Sequence, residues 1–210
     1  NILINSTNVS CNGGANGSIT ANVNGGQQPY LYQWSNGGTA ATINNLIAGT
    51  YSFTVTTANG CISTTSTTIT QPASALSFSS TQSNAICYNS GTGSATVNPT
   101  GGTPPYSFVW NTQPIQTTAT ASGLNAGSAS VIISDNNGCT VSANFIITEP
   151  VQLTSNAMIV SGITCNGASN GNIIVGGSGG TGMYNYEWNT TPVQYSQNIT
   201  GLAPGNYMAT

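Results

Sequence analysis

The chain has 210 residues and almost no charge, since it contains no Lys, Arg or His and its only acidic residues are Asp135, Glu149 and Glu187. The lack of a basic patch excludes electrostatic binding to nucleic acid or to anionic lipid. Three acids in different parts of the chain, with no His or Lys beside them, form neither a catalytic triad nor an acid–base pair. We therefore expect no enzyme activity and no cofactor.

The first predicted strand covers residues 18–23, where apolar and polar side chains alternate. It follows a loop rich in Gly and Asn that begins at Cys11. No stretch of the chain shows a helical period, and aromatic and β-branched residues are plentiful. This pattern predicts packed β-sheets rather than helices or disorder.

A strand with an aromatic face comes next, and it recurs three times. GGQQPYLYQW at 25–34 returns as GGTPPYSFVW at 101–110 and as GGTGMYNYEW at 179–188. Side chains two residues apart lie on one face of a strand, so we predict that the aromatic face is buried between two sheets. The predicted core aromatics are Tyr30, Tyr32, Trp34, Tyr106, Phe108, Trp110, Tyr184, Tyr186 and Trp188.

A corner motif follows the aromatic strand. LIAGTY at 46–51 and LAPGNY at 202–207 resemble the tyrosine corner of immunoglobulin-like sandwiches, whereas the second copy has Ala129 in place of the ring. Several short strands per copy, with turns between them, predict an all-β fold. We expect tandem immunoglobulin-like β-sandwich repeats arranged as an extended rod.

Asn-Gly pairs at 59–60 and 137–138 predict two-residue hairpin turns, and a cysteine follows each pair. Each final strand ends at a proline, Pro72 or Pro150, which cannot donate a hydrogen bond to a neighbouring strand. The turn sequence DNNG at 135–138 also resembles part of a calcium loop. The first copy has no acid there, so we interpret the sequence as a hairpin and expect no metal.

The repeated tryptophans at 34, 110 and 188 are spaced 76 and 78 residues apart. This spacing predicts three repeats, at 1–73, 74–151 and 152–210. The last residue of the third repeat corresponds to Thr54 of the first. We therefore expect the third repeat to be truncated and the chain to be a segment of a longer protein.

The cysteines occupy two positions of the repeat, with Cys11, Cys87 and Cys165 in the first slot and Cys61 and Cys139 in the second. Paired cysteines in small β modules are typical of disulfides and of an oxidising, extracytoplasmic setting. Four strands are predicted between the two slots, and an even number returns the chain to the same end. We predict the pairs Cys11–Cys61 and Cys87–Cys139, with Cys165 unpaired and each tryptophan packed near its own repeat's cystine. The alternatives are Cys61–Cys87 with Cys139–Cys165, or reduced thiols.

Five motifs in a fixed order resemble those of the SprB repeat. They are C-N-G-x-x-x-G-[SN]-I, the Gly-Gly and aromatic strand, L-x-x-G-x-Y, N-G-C and I-T-x-P. The resemblance covers nearly the whole chain. It implies a segment of an extracellular, cell-surface filament or adhesin of gliding Bacteroidetes, exported by the type IX secretion system and used in gliding or attachment.

Two functions fit these motifs. In the first, the repeats form a stiff, disulfide-stapled stalk whose partners are neighbouring repeats and the secretion or motility machinery. In the second, they form an array of carbohydrate-binding modules that bind surface polysaccharide through their polar faces. Sugar binding without charge usually needs exposed aromatic rings, and the pattern places the rings in the core. The stalk is therefore favoured, and no insertion into a membrane is expected.

Overall fold

The computed structural model describes all residues from 1 to 210 and contains fifteen β-strands and no helix. The strands form five sheets of three strands each. The predicted all-β class is therefore confirmed. No helix of the length and apolar character needed to span a membrane is present.

The chain divides into two compact units. The first unit holds the whole first repeat and much of the second, and the second unit holds the rest, including the third repeat. The first consists of Asn1–Thr81, Ala95–Ala121 and Ala129–Phe145, and the second of Gln82–Ser94, Ser122–Ser128 and Ile146–Thr210. The predicted repeat boundaries and the rod-like arrangement stay predictions.

The first repeat contains six strands in two antiparallel sheets, with orders β1-β2-β4 and β3-β5-β6. The strands are β1 (Ile2–Thr7), β2 (Gly17–Val23), β3 (Leu31–Trp34), β4 (Thr42–Leu46), β5 (Gly49–Thr56) and β6 (Ile62–Ile69). One apolar cluster joins the two sheets: it includes Ile19 of the first sheet and Trp34 and Phe53 of the second. Because both sheets bury a face in one cluster, the repeat is a β-sandwich.

The second repeat has the same strand order, with sheets β10-β8-β7 and β12-β11-β9. The strands are β7 (Ser77–Ser83), β8 (Gly93–Thr100), β9 (Ser107–Trp110), β10 (Thr120–Leu124), β11 (Gly127–Ser134) and β12 (Thr140–Ile147). Trp110 lies opposite Val131, as Trp34 lies opposite Phe53 in the first repeat. Phe145 of β12 supplies the second ring instead, 5.6 Å from the Trp110 ring. The core thus keeps an aromatic pair although the second ring comes from another strand.

The third repeat contains one sheet with the order β13-β14-β15. Its strands are β13 (Val151–Ser161), β14 (Gly171–Gly180) and β15 (Asn198–Leu202). Its core is a small cluster of Val175, Trp188, Ile199 and Leu202, and every residue of β13 is exposed.

The predicted burial of the tryptophans is confirmed, since Trp34, Trp110 and Trp188 are 2%, 1% and 2% exposed. The opposite face of the same strand is open to solvent, and Leu31 is 71% exposed. The prediction for the other six aromatics was too strong. Five of them are half-buried, and Tyr184 is exposed.

The first tyrosine of each aromatic motif is at most half-buried, and in the first two repeats it immediately precedes the regular strand, β3 or β9. Its hydroxyl donates a hydrogen bond to the first glycine carbonyl of the Gly-Gly turn, at 2.9 Å for Tyr30, 2.7 Å for Tyr106 and 2.7 Å for Tyr184. A tyrosine whose hydroxyl has a polar partner sits at the edge of a core rather than inside it. Each of these hydrogen bonds therefore ties the tyrosine ring to the Gly-Gly turn that precedes it.

Candidate functional site at the junction of the first two repeats

The loop that carries Cys11 is fixed at the end of the first repeat where β6 finishes. The Asn12 side-chain amide donates to the Pro72 carbonyl at 2.8 Å, and the Gly13 N–H donates to the Gln71 side-chain oxygen at 2.8 Å. Since these partners lie just beyond β6, Cys11 faces the point where the chain leaves the first repeat.

Cys61 lies at the other end of the same repeat, immediately before β6 begins. Eight residues of β6 span about 26 Å at about 3.3 Å per residue, whereas a disulfide requires Cα atoms within roughly 7 Å. The predicted Cys11–Cys61 pair is therefore wrong.

The strand-counting argument failed for a reason that the hydrogen bonding shows. Four strands do lie between the two cysteines, but β4 is antiparallel to β2, and β3 is antiparallel to β5. Both β3 and β4 consequently run towards the end that carries Cys11. Trp34 at the end of β3 lies opposite the middle of β5, and Thr42 at the start of β4 lies opposite the middle of β2. The two short strands therefore make one passage between them, and the hairpin before Cys61 forms at the opposite end of the repeat.

Cys11 instead forms a disulfide with Cys139 of the second repeat, with a Cα–Cα distance of 5.8 Å and a sequence separation of 128 residues. The predicted Cys87–Cys139 pair and both alternative pairs are wrong, because Cys61, Cys87 and Cys165 are free and exposed. Cys165 is unpaired, as predicted. No tryptophan has a cystine of its own repeat to pack against, because the bond joins a first-slot cysteine to the second slot of the next repeat.

Asp135 builds the hairpin that presents Cys139. It is 6% exposed, and its carboxylate accepts backbone N–H bonds from Asn137 and Cys139 on one oxygen and from Thr103 on the other, each at 2.9 Å. Burial alone would raise the pKa of Asp135, but these backbone N–H bonds outweigh it and the pKa is lowered from 3.8. The carboxylate thus joins the hairpin to the Gly-Gly turn, which supports the hairpin interpretation of this segment.

A direct polar contact also crosses the junction. The Asn137 side-chain amide donates to the Ser10 carbonyl at 2.9 Å and to the Thr103 hydroxyl at 3.0 Å. Ser10 is adjacent to Cys11, so the contact and the disulfide fix the same loop. The sequence pattern indicates only a turn at Asn137 and gives no sign of its contact with Ser10 across the junction.

Gly101 has a second role at this junction besides its left-handed conformation, with φ of 71°. A Cβ atom at Gly101 would lie 2.0 Å from the Ala75 carbonyl oxygen, in the segment that enters the second repeat. Gly179 has the same relation to the Gln152 carbonyl oxygen in the third repeat. By contrast, a Cβ at Gly25 of the first repeat would meet nothing within 4 Å. The first glycine of the turn is therefore required by the incoming chain where a repeat precedes it.

The hairpin of the first repeat uses Thr57 where the second uses Asp135. The Thr57 hydroxyl accepts from the Cys61 N–H at 3.1 Å and donates to the Asn59 side-chain oxygen at 2.6 Å. A hydroxyl satisfies fewer backbone donors than a carboxylate does. This hairpin carries the free, exposed Cys61.

The loop that carries Cys87 is held as the Cys11 loop is, since the Asn89 N–H donates to the Glu149 carboxylate at 2.6 Å. Within the second unit, this loop borders a hollow of about 470 Å³. The residues around it include Ile86, Cys87, Tyr88, Leu153, Met183 and Tyr184. The Cys87 thiol has no cysteine partner there. No group of three or more His, Cys, Asp or Glu residues lies close enough together to hold a metal ion.

Comparison with known families gives one clear match. The model of the SprB repeat family matches residues 3–39, 79–114 and 158–193, which together make up just over half of the chain. No curated protein is similar to the chain in sequence.

Several solved structures show a slight likeness to the chain. The IgVJ-C2 molecule of amphioxus is 16% identical over 68% of this chain and 96% of its own, with a TM-score of 0.26. Extracellular domains 3–5 of Drosophila OTK are 11% identical over 90% and 83%, with a TM-score of 0.29. A tetra-tandem repeat in the extending region of a large adhesion protein is 12% identical over 99% and 64%, with a TM-score of 0.22. The β-sandwich of each of the first two repeats follows from the strands and sheets of this chain alone.

Proposed function

Because the chain belongs to the SprB repeat family, we propose that it is a repeat segment of a cell-surface adhesion protein and that it acts as a stiff extracellular stalk. SprB repeats occur in cell-surface proteins, and this supports an extracellular location. Export by type IX secretion and a role in gliding or attachment are part of the same proposal. In this proposal the segment catalyses no reaction, and its partners are the neighbouring repeats of the same chain.

The observation that carries the stalk proposal is the covalent bond between consecutive repeats, Cys11–Cys139. A flexible string of modules needs only a linker between them, whereas a disulfide across a junction fixes two neighbours in one arrangement. The Asn137 contact with Ser10 and the close approach of Ala75 to Gly101 restrict the same junction. This rigidity suits a spacer that holds a binding tip away from the cell surface.

Small-angle X-ray scattering of the oxidised chain tests the stalk. A compact globule of this length has a radius of gyration of about 17 Å. Two sandwiches and the single sheet of the third repeat in line, each advancing about 30 to 40 Å, give a value near 30 Å. We expect the larger value, and a measured radius near 17 Å would contradict the stalk. Antibody labelling of intact cells of the source organism tests the location, and labelling that requires permeabilised cells would contradict it.

A second candidate function is binding of surface polysaccharide, and one observation favours it. Tyr88 and Tyr184 are both exposed and both border the hollow in the second unit. Exposed aromatic rings are the groups on which uncharged sugars stack. Polysaccharide pull-down with the wild-type chain and with Tyr88→Ala separates the two functions. Saturable binding that is lost in Tyr88→Ala supports the second function, and no retention of polysaccharide supports the stalk.

A further inference from the structure

The Cys11–Cys139 disulfide closes a covalent loop with a sequence separation of 128 residues. The loop contains ten strands, from β2 to β11, and therefore nearly all of the first two repeats. Two strands lie just outside it. β1 ends at Thr7, shortly before Cys11, and β12 begins at Thr140, immediately after Cys139.

We propose that this disulfide carries tension past the first two repeats and shields strands β2 to β11 from mechanical unfolding. The inference rests on the proposed stalk role, in which the chain is pulled from both ends. Tension then enters along β1, crosses from Cys11 to Cys139 and leaves along β12. Residues 12–138 lie on a side branch that cannot lengthen while the disulfide is intact.

The directions of the strands make this path short. β1 runs towards the end of the first repeat that carries Cys11, because it is antiparallel to β2 in the register Ile2↔Val23 to Thr7↔Ser18. A strand is already close to its full extension, at about 3.3 Å per residue. Through the first two repeats, the loaded path therefore consists of one extended strand, the disulfide and a second extended strand, and this part of the path can lengthen only slightly.

The contacts at the junction hold the two ends of this path together before any load is applied. Asp135 fixes the backbone N–H of Cys139, and Asn137 holds the Ser10 carbonyl next to Cys11. Disulfides within single repeats would leave the segment between Cys61 and Cys87 under tension, and the two sandwiches would be free to separate. The observed bond removes that segment from the loaded path.

Pulling the full chain by its two ends in a single-molecule force experiment tests the proposal. Fully extended residues span at most about 3.3–3.6 Å each, so the closed loop hides about 450 Å of contour length. We expect the oxidised wild-type chain to stop short of full extension by about 450 Å and to recover that length when a reductant is added. An oxidised chain that already reaches its full length would overturn the proposal.

Two variants complete the test. Cys139→Ser should reach full length with or without reductant, and this readout does not require the variant to fold. Cys61→Ser should keep the hidden length, and its loss there would overturn the assignment of the disulfide. Peptide mapping without reductant, with a protease that cleaves at aromatic residues, should recover the Cys11–Cys139 link. The stalk is tested by scattering and surface labelling, so failure of either proposal is seen separately.

Discussion

The tryptophan positions and the cysteine positions recur with the same period, yet only the tryptophans keep one role in all three repeats. Trp34, Trp110 and Trp188 are all buried. Of the first-slot cysteines, Cys11 is bonded while Cys87 and Cys165 are free. The tryptophan packs against residues of its own repeat, so its role is set locally. The cysteine meets a partner from another repeat, so its role depends on the neighbour.

The tryptophan contact also tolerates change in the loop around it. The indole N–H donates to the Ala40 carbonyl in the first repeat, to Thr118 in the second and to Ser196 in the third, at 2.8 to 2.9 Å. The partner lies six residues after the tryptophan in the first repeat and eight residues after it in the others. A local contact is thus kept across loops of different length, whereas the disulfide depends on a whole neighbouring hairpin.

The largest expected loss of stability comes from removing the buried tryptophan, which packs within its own repeat. Replacing Trp34 with Ala should lower the free energy of unfolding of the first repeat by about 3–5 kcal/mol, because it opens a cavity in the only core of that repeat. Denaturant unfolding measures the change. Leu31→Ala, on the exposed face of the same strand, is the matched control and should change stability by about 0.5 kcal/mol or less. A Trp34→Ala protein with wild-type stability would show that the tryptophan is not a core residue.

The second-largest loss of stability should come from removing the disulfide between the first two repeats. Cys139→Ser removes the disulfide, and removal of a disulfide typically costs about 2–4 kcal/mol. Thermal melting without reductant should show the loss, and the difference from wild type should vanish when both proteins are reduced. Cys61→Ser leaves the disulfide intact and should melt like wild type under both conditions. A Cys61→Ser protein as unstable as Cys139→Ser would contradict the pairing.

The carboxylate beneath the junction should matter less than the disulfide itself. Asp135→Asn leaves at least one buried backbone N–H without an acceptor, which costs about 1–3 kcal/mol. Chemical unfolding of the reduced proteins at neutral pH measures this loss without the disulfide. Glu187→Gln, at an exposed acid, is the control and should leave stability unchanged.

Asp135 also makes the stability of the folded protein depend on pH. The pKa of Asp135 is lower in the folded protein than its ordinary 3.8. Its stabilising contribution is therefore fully present above that value and is lost as the pH falls below it, through the folded-state pKa. The gap in stability between wild type and Asp135→Asn should narrow as the pH is lowered through this range. A gap that widens in acid would contradict the lowered pKa.

The smallest expected loss of stability comes from the tyrosine corner, which is a contact within one repeat. The Tyr51 hydroxyl donates to the Ile47 carbonyl at 3.0 Å, so Tyr51→Phe should cost about 0.5–1.5 kcal/mol. Because the contact lies within one repeat, the loss should be the same with and without reductant. Tyr195→Phe, at an exposed ring, serves as the control in the same melting experiment. If Tyr51→Phe lowered the stability of the oxidised protein only, the hydrogen bond would depend on the disulfide and would not be local to one repeat.

The features that sequence reasoning predicted are those whose cause lies within a few residues. Alternation of side chains predicted the buried tryptophans. The resemblance to a tyrosine corner is matched by the hydrogen bonds that the Tyr51 and Tyr207 hydroxyls donate to the Ile47 and Ala203 carbonyls. The disulfide pairing failed because it depends on the directions of β3 and β4, which follow from sheet pairing over long range. Asp135 was assigned only to a turn, although an Asp two residues before an Asn-Gly-Cys sequence is placed to accept backbone N–H bonds in the hairpin. The contact of Asp135 with Thr103 could not be predicted from neighbouring residues, because the two residues are 32 positions apart.

The length of β6 has a consequence for how the correct disulfide is reached. As the chain is synthesised, Cys11 is followed first by Cys61, then by Cys87, and only later by Cys139. Loop-closure entropy favours short loops, so in an unfolded chain Cys61 competes with Cys139 for Cys11 and is the nearer partner. Once the first sandwich folds, β6 holds Cys61 at the opposite end of the repeat and removes that competitor. The folded first repeat therefore keeps Cys61 away from Cys11 and leaves Cys11 available to Cys139 of the next repeat.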